Sequence, residues 1–293
     1  MPTLKEIKGR ISSVKNTLKI TSAMKLVSSA KLRKAQKAIE AMRPYEAQLQ
    51  RMLSQISIRK GDAPENASPS LPTAIVAVAS NSSLCGGFNA NVIAQVRHVR
   101  KKGDVVYSVG RKMADAMRKD GFPSPEDYSA LADHPEYGPA SALADRLARD
   151  LEDGRIGKVV LVYTHFISTA RQVPVEEILM PEGRESLSGA FARTGSRRDA
   201  EERDSLPSEA DIIIEPSRKE LLEILEPKVV RLKLYAALLD SAAAEHAART
   251  VAMQTATDNG EQLLDDLTLQ YNKGRQQKIT NEILDLAGGQ VEG

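Results

Sequence analysis

The chain has 293 residues, of which 41% are hydrophobic and only 4% aromatic, with no Trp and one cysteine. Ala, Leu, Ile and Val must fill its interior, which favours long helices over one broad core. No apolar run approaches the roughly 20 residues a membrane span needs, no signal-peptide core follows the first residues, and Cys85 alone excludes an internal disulfide and fits a reducing compartment.

The net charge of +2 hides an asymmetry that begins with the first element. Residues 1–37 carry Lys5, Lys8, Arg10, Lys15, Lys19, Lys25, Lys31, Arg33, Lys34 and Lys37 against the single acid Glu6. Such a segment wants an acidic partner, whether nucleic acid, an anionic membrane or an acidic protein surface. Its serines also suit a mitochondrial transit peptide, but the helical pattern continues without a cleavage-like break to about residue 58. Leu4, Ile7, Ile11, Val14 and Leu18 recur every three or four residues, as in a coiled-coil seam. The seam is expected to shift to Ile20, Met24 and Val27 and to resume through Ala35, Ile39, Met42, Leu49, Leu53 and Ile56, with a local bend at Pro44. A helix over 3–59 would be about 85 Å long, so it needs an equally long partner.

Residues 60–72, with three prolines, read as a linker. Strands are then expected at Ala74–Ala79, Val105–Val109, Val159–Tyr163, Val173–Leu179 and Ile212–Ile214. Helices are expected at Asn89–Lys101, Lys112–Lys119 and Ala140–Leu151, an alternation typical of an α/β sheet that is largely parallel at first. Residues 182–209 are polar and aperiodic and read as a long loop. A short helix from Ser217 is expected to break at Pro227. Lys228–Leu286 then holds no proline and reads as the long partner helix, Ala-rich over 236–248 and apolar at Val230, Leu234, Leu238, Leu263, Leu264, Leu267 and Ile279. The domains expected are therefore a discontinuous shaft, 1–60 with 217–293, and an inserted α/β domain, 72–215.

Little here points to catalysis. Ser80–Val92 follows a strand and opens a helix, so its amides could cradle a phosphate. It lacks both GxxxxGK[ST] and GxGxxG, and a flexible structural turn is the simpler reading. His98, His134, His165 and His246 make neither a dyad with Cys85 nor a metal-ligand spacing. The basic face of the first helix fits solvated lysines on a coiled coil, or an acidic partner. A basic coiled-coil nucleic-acid-binding protein, and an α/β enzyme with a dimerising coiled coil, stand as alternatives.

Four blocks in order carry a resemblance that spans the chain. Leu4–Gln36, the internal SLCGGFN, Glu245–Gly260 and Tyr271–Ile283 resemble the gamma subunit family of F-type ATP synthases. The chain departs from the family's usual pattern at Asn81, Ser82 and Ser83, where Asp-Arg-Gly is common, at Gly289–Gln290, and at Ile212–Ile214 before Glu215 and Pro216. With only Cys85 it lacks the chloroplast-type redox pair. The resemblance implies an α/β fold in which N- and C-terminal segments form a long antiparallel two-helix coiled coil around an inserted Rossmann-like domain. It implies a non-catalytic central-stalk rotor, with no cofactor or metal, that turns with the membrane c-ring inside a head of alpha and beta subunits and so couples proton flow to ATP synthesis or hydrolysis. Partners would be the alpha, beta and epsilon subunits and the c-ring, not nucleic acid. The protein would be peripheral, on the cytoplasmic side of a bacterial inner membrane. Contacts to the catalytic subunit would fall on Met24, Lys25, Arg275, Gln276, Thr280 and Glu282, and a foot contact to epsilon or the c-ring on Glu215.

Overall fold

A computed structural model describes residues 3–56, 71–181, 215 and 217–288. The expected strand at Ile212–Ile214 and the loop over 182–209 lie outside the described residues. In chain order the elements are α1 (Leu4–Ile56), β1 (Thr73–Val78), α2 (Phe88–Val99), β2 (Val105–Val109), α3 (Arg111–Lys119), α4 (Ser129–Asp133), α5 (Tyr137–Glu152), β3 (Lys158–Ser168), β4 (Arg171–Met180) and α6 (Arg218–Gly288). The architecture is an antiparallel pair of long helices with an α/β sheet inserted between them in sequence. Two compact units divide the chain: Met1–Ala30 with Arg249–Gly293, and Lys31–Ala248.

In the first unit the helices pack in a single register. Thr21 Oγ1 lies 2.9 Å from Thr257 Oγ1. A Cβ added to Gly260 would sit 2.7 Å from Leu18 Cδ2, and one at Gly274 would sit 3.2 Å from Leu4 Cδ2. From Thr21 back to Leu4 and from Thr257 on to Gly274 the step is the same, as antiparallel helices require. The seam on α6 runs through Met253, Thr257, Gly260, Leu264, Leu267, Tyr271 and Gly274, alternating steps of four and three. These glycines, weak helix formers elsewhere, admit the leucines of α1.

The seam on α1 does not shift after Leu18, as the apolar residues suggested. Thr21 (9% exposed) and Ser28 (3%) keep the three-four spacing, while Ile20 (59%) and Val27 (57%) face outward. Small polar residues fill the seam there, so the apolar pattern misreads the face. Likewise Leu263 and Ile279 are exposed rather than on the apolar face, because neither falls on the α6 spacing.

The second unit centres on a sheet of order β2-β1-β3-β4. β1 pairs in parallel with β2 and β3, and β4 closes the far side antiparallel to β3. Both faces are covered, so the central strands are continuous apolar runs rather than alternating ones. Ala74, Val76, Val78, Leu161 and Tyr163 face α4, α5 and the α6 residues Val230, Leu234, Ala237 and Leu238. Ile75, Ala77, Val160 and Val162 face Val92 and Val96 of α2 and Met113 and Met117 of α3.

Helix α6 runs unbroken through Pro227, where the sequence pattern placed a break. An interior proline costs about 3 kcal/mol. Leu225, Val229 and Leu232 are buried there against Leu49 and Leu53 of α1. Each such side chain contributes roughly 1.5–3 kcal/mol, enough to hold the helix through the proline.

Gly110 leaves β2 at φ +96°, and a Cβ there would lie 2.2 Å from the Ala79 carbonyl oxygen. The ends of β1 and β2 approach too closely for any side chain. Gly110→Ala is expected to destabilise the sheet unit by on the order of 2–4 kcal/mol. Urea unfolding followed on a probe in that unit checks this, and an unchanged midpoint would contradict the packing described.

Candidate functional site

The turn between β1 and α2 is the one place where the topology could offer a phosphate site. The strand order reverses beside β1, and ligands of open α/β sheets bind at such a crevice. Here the turn spends its polar groups on itself. The Ser80 amide donates to Asn89 Oδ1 at 3.0 Å, the Ser80 hydroxyl donates to the Ser82 carbonyl at 2.6 Å, and Asn89 Nδ2 donates to Cys85 Sγ at 3.2 Å. Cys85 is 1% exposed. It packs with Phe88, Ala244 and Ala248, and Phe166 leans on the same cluster. Side chains of α2, β3 and α6 thus fill the crevice a ligand would need.

Asn81, one of the positions that depart from the family's usual pattern, has a structural task. Its Nδ2 donates to the Ser129 carbonyl at 2.8 Å, and its Oδ1 accepts the Arg111 amide at 2.8 Å. A carboxylate could do only the second. Leu84, in the same turn, takes a left-handed φ of 65° and is exposed.

A second concavity, about 260 Å³, lies between α4 and α5 and is lined by Glu126, Tyr128, Leu131, Leu143 and Arg146. Arg146 pairs with Glu126 and holds its carboxyl below the usual range, and Glu126 in turn raises the guanidinium. Burial pushes the Tyr128 and Tyr107 phenols up to about 12. At neutral pH the Glu126 carboxyl stays ionised and both phenols stay protonated. Among the described residues, no three His, Cys, Asp or Glu side chains gather as a metal site.

The remaining candidates lie on the outsides of the two long helices. Lys5, Lys8, Arg10, Lys15 and Lys19 are exposed along α1, and Met24 and Lys25 are half-buried. No ion pair within the chain, among the described residues, reaches these cations. Ile20, Leu26 and Val27 stand exposed on the same stretch. Sequence reading missed them as surface residues, although counting the seam through Thr21 and Ser28 would have found them. At the other helix end, α6 continues past Gly274, the residue that meets Leu4, to Gly288. Arg275, Gln276, Thr280 and Glu282 are all exposed on this overhang, and Lys278 pairs with Glu282 at 3.6 Å. Ile279, Ile283 and Leu284 are exposed beside them.

The structure does not bring these residues together. Met24 and Leu4 are about 30 Å apart along α1, and Arg275 follows Gly274, opposite Leu4. The two groups are separate levels on one helical pair. Glu215 is exposed, immediately before α6.

The ATP synthase family model matches residues 3–291. The chain is 46% identical over 304 residues to the ATP synthase gamma chain of Phocaeicola vulgatus, covering 99% of this chain and 100% of that protein. It is 44% identical to that of Bacteroides thetaiotaomicron, covering 100% of both. Among solved structures it resembles a chain of the Euglena gracilis mitochondrial ATP synthase, described as OSCP, F1 and c-ring in rotational state 3. That match has a TM-score of 0.70 at 19% identity, over 98% of this chain and 93% of that one. It also resembles a chain of the central stalk and c-ring of the Tetrahymena thermophila mitochondrial enzyme, with a TM-score of 0.57 at 20% identity, over 81% and 99%.

The filled crevice yields a prediction. Titration of ATP into the full chain is expected to give no binding tighter than about 100 μM, roughly −5.5 kcal/mol. Calorimetry showing micromolar affinity would overturn the reading of the turn as structural.

Proposed function

The chain belongs to the ATP synthase gamma chain family, and we propose that it is the rotor shaft of the central stalk, coupling rotation of a membrane c-ring to ATP synthesis or hydrolysis on other subunits. Full-length similarity to gamma chains carries the reading. The basic coiled-coil alternative, a nucleic-acid binder, finds no support in that similarity. The shaft, 1–60 with 217–293, enters a head of alpha and beta subunits. The inserted domain, 72–215, serves the foot with epsilon and the c-ring.

The surfaces suit this work. A shaft that turns inside a sleeve needs stiffness, and two packed helices resist bending better than one. It must also not adhere deeply at any angle. The exposed cations on α1 provide long-range attraction to acidic surfaces without shape-specific anchoring. The α6 overhang mixes Arg275, Gln276, Thr280 and Glu282 with Ile279 and Ile283, a face able to touch a sleeve and make directed hydrogen bonds. Met24 and Lys25 form a second contact level on α1, and Glu215 is assigned to the foot. The chain itself carries out no chemistry; its partners' sites do. Among the described residues no helix is long and apolar enough to cross a membrane. We assign attachment to the c-ring, on the cytoplasmic side of a bacterial inner membrane.

Reconstitution with alpha and beta subunits tests the reading: ATPase activity with rotation of this chain is expected, and an active head in which the chain stays still would refute it. Within that complex, Arg275→Ala with Gln276→Ala is expected to lower turnover by up to about tenfold, since one charge-assisted hydrogen bond formed at a single stage of rotation has that scale. Both side chains are exposed. Stability of the free chain should therefore change by no more than about 0.5 kcal/mol. Wild-type turnover in the double mutant would remove these two residues from the contact.

A further inference from the structure

Strand β3 is longer than its parallel neighbour. β1 pairs with it only from Lys158 to Val162, while β4 accompanies it on to Ser168. Beyond Val162 the sheet is thus a two-stranded ribbon, a form that is marginal unless something holds it. Asp240 of α6 does so with both carboxylate oxygens. Oδ2 lies 2.5 Å from His165 Nδ1, and Oδ1 accepts the Phe166 backbone amide at 3.1 Å. Asp240 itself is only 16% exposed. The Phe166 ring next door packs against two small clusters, one with Ala244 and Ala248 and one with Leu32, Ala243 and Ala247.

Other contacts that α6 makes in this unit differ in kind. Val230, Leu234, Ala237 and Leu238 contribute apolar contact, which opposes separation but is non-directional and opposes sliding weakly. Lys233 reaches Glu177 and the Ile178 carbonyl of β4, each at 3.3 Å, and Arg231 reaches Asp145 of α5 at 2.6 Å. Those are long side chains with many rotamers that can follow a shift of an ångström. Asp240 is short, and one of its two bonds is to backbone. It cannot follow such a shift without losing a bond.

We propose that Asp240 is a positioning residue for rotary coupling: by gripping His165 and the Phe166 amide it fixes the β3–β4 ribbon to α6, so that torque received by the sheet turns the helix without slip. The proposal rests on the rotor reading above. Asp240 and Arg275 belong to the same helix, α6.

Two measurements test it. In the full chain alone, Asp240→Ala is expected to speed amide exchange at Phe166 by about tenfold, the scale of one lost charge-assisted hydrogen bond, with β1 and β2 amides unchanged. Asp240→Asn keeps an oxygen for the Phe166 amide and an amide to meet His165, and should restore protection. In the complex with alpha and beta subunits, Asp240→Ala is expected to lower the torsional stiffness of the stalk on the order of twofold, since it removes a short polar anchor between the ribbon and α6. Asp240→Asn should return it. Faster exchange with unchanged stiffness overturns the proposal while the complex still rotates, leaving the rotor reading intact. Unchanged exchange overturns it as well. If Asp240→Ala loosens the whole sheet, Asp240→Asn decides: wild-type exchange with softened stiffness overturns the proposal, and wild-type values of both support it. A wild-type complex that does not rotate refutes the rotor reading instead.

Discussion

A helix of 53 residues and one of 71 cannot bury their inner stripes on a small domain, and the structure depends on α1 and α6 covering each other. In the first unit that contact runs in one register from Thr21–Thr257 to Leu4–Gly274. In the second, Leu49 and Leu53 meet Leu225 and Val229. The requirement accounts for details that local propensity disfavours. Glycines stand in the middle of a long helix because leucines of the partner need their space. A proline is carried within α6 because the burial around it outweighs its cost.

The seam of the first unit is not uniformly greasy. Thr21, Ser28 and Thr257 lie within it. A polar pair at a seam position lowers stability relative to an apolar one but disfavours slipped registers, where each hydroxyl would face an alkyl group. For a shaft whose outer faces must present particular residues at particular heights, a fixed register is worth that loss. The exterior is left to charged, polar and scattered apolar side chains.

The sheet unit follows a different logic. Helices cover both faces, the crevice at the end of β1 is filled from α6, and the polar side chains that remain mostly tie layers together. Tyr107 donates to Asp150 at 3.0 Å, and Arg155 holds the other oxygen of the same carboxylate at 2.8 Å. Burial raises the Tyr163 phenol, which donates to Glu177 at 3.3 Å. Arg97 holds the Asp120 carboxyl below its usual range while Arg100 shares it and lies 4.2 Å over the Phe122 ring. An α/β topology that elsewhere hosts ligands is here packed with side chains where a ligand would sit.

Much of this was legible in the residues alone. The spacing from Leu4 to Leu18, the proline-rich break, and the alternation of β-branched runs with helical ones determined two long helices around an inserted sheet, because burial periodicity is a local property of the chain. The motif blocks determined the family. The sequence could not decide which residues between Leu18 and Ser28 face inward. Apolar identity pointed to Ile20 and Val27, and packing chose Thr21 and Ser28, since a seam is defined by the partner's shape as well as by hydrophobicity. Nor could it decide that α6 survives Pro227, which depends on contacts with residues far away in sequence. The grip of Asp240 on His165 and Phe166 belongs to the same class. It joins positions 75 and 74 residues apart, and no local pattern records a contact that exists only once a strand tip is laid against a helix.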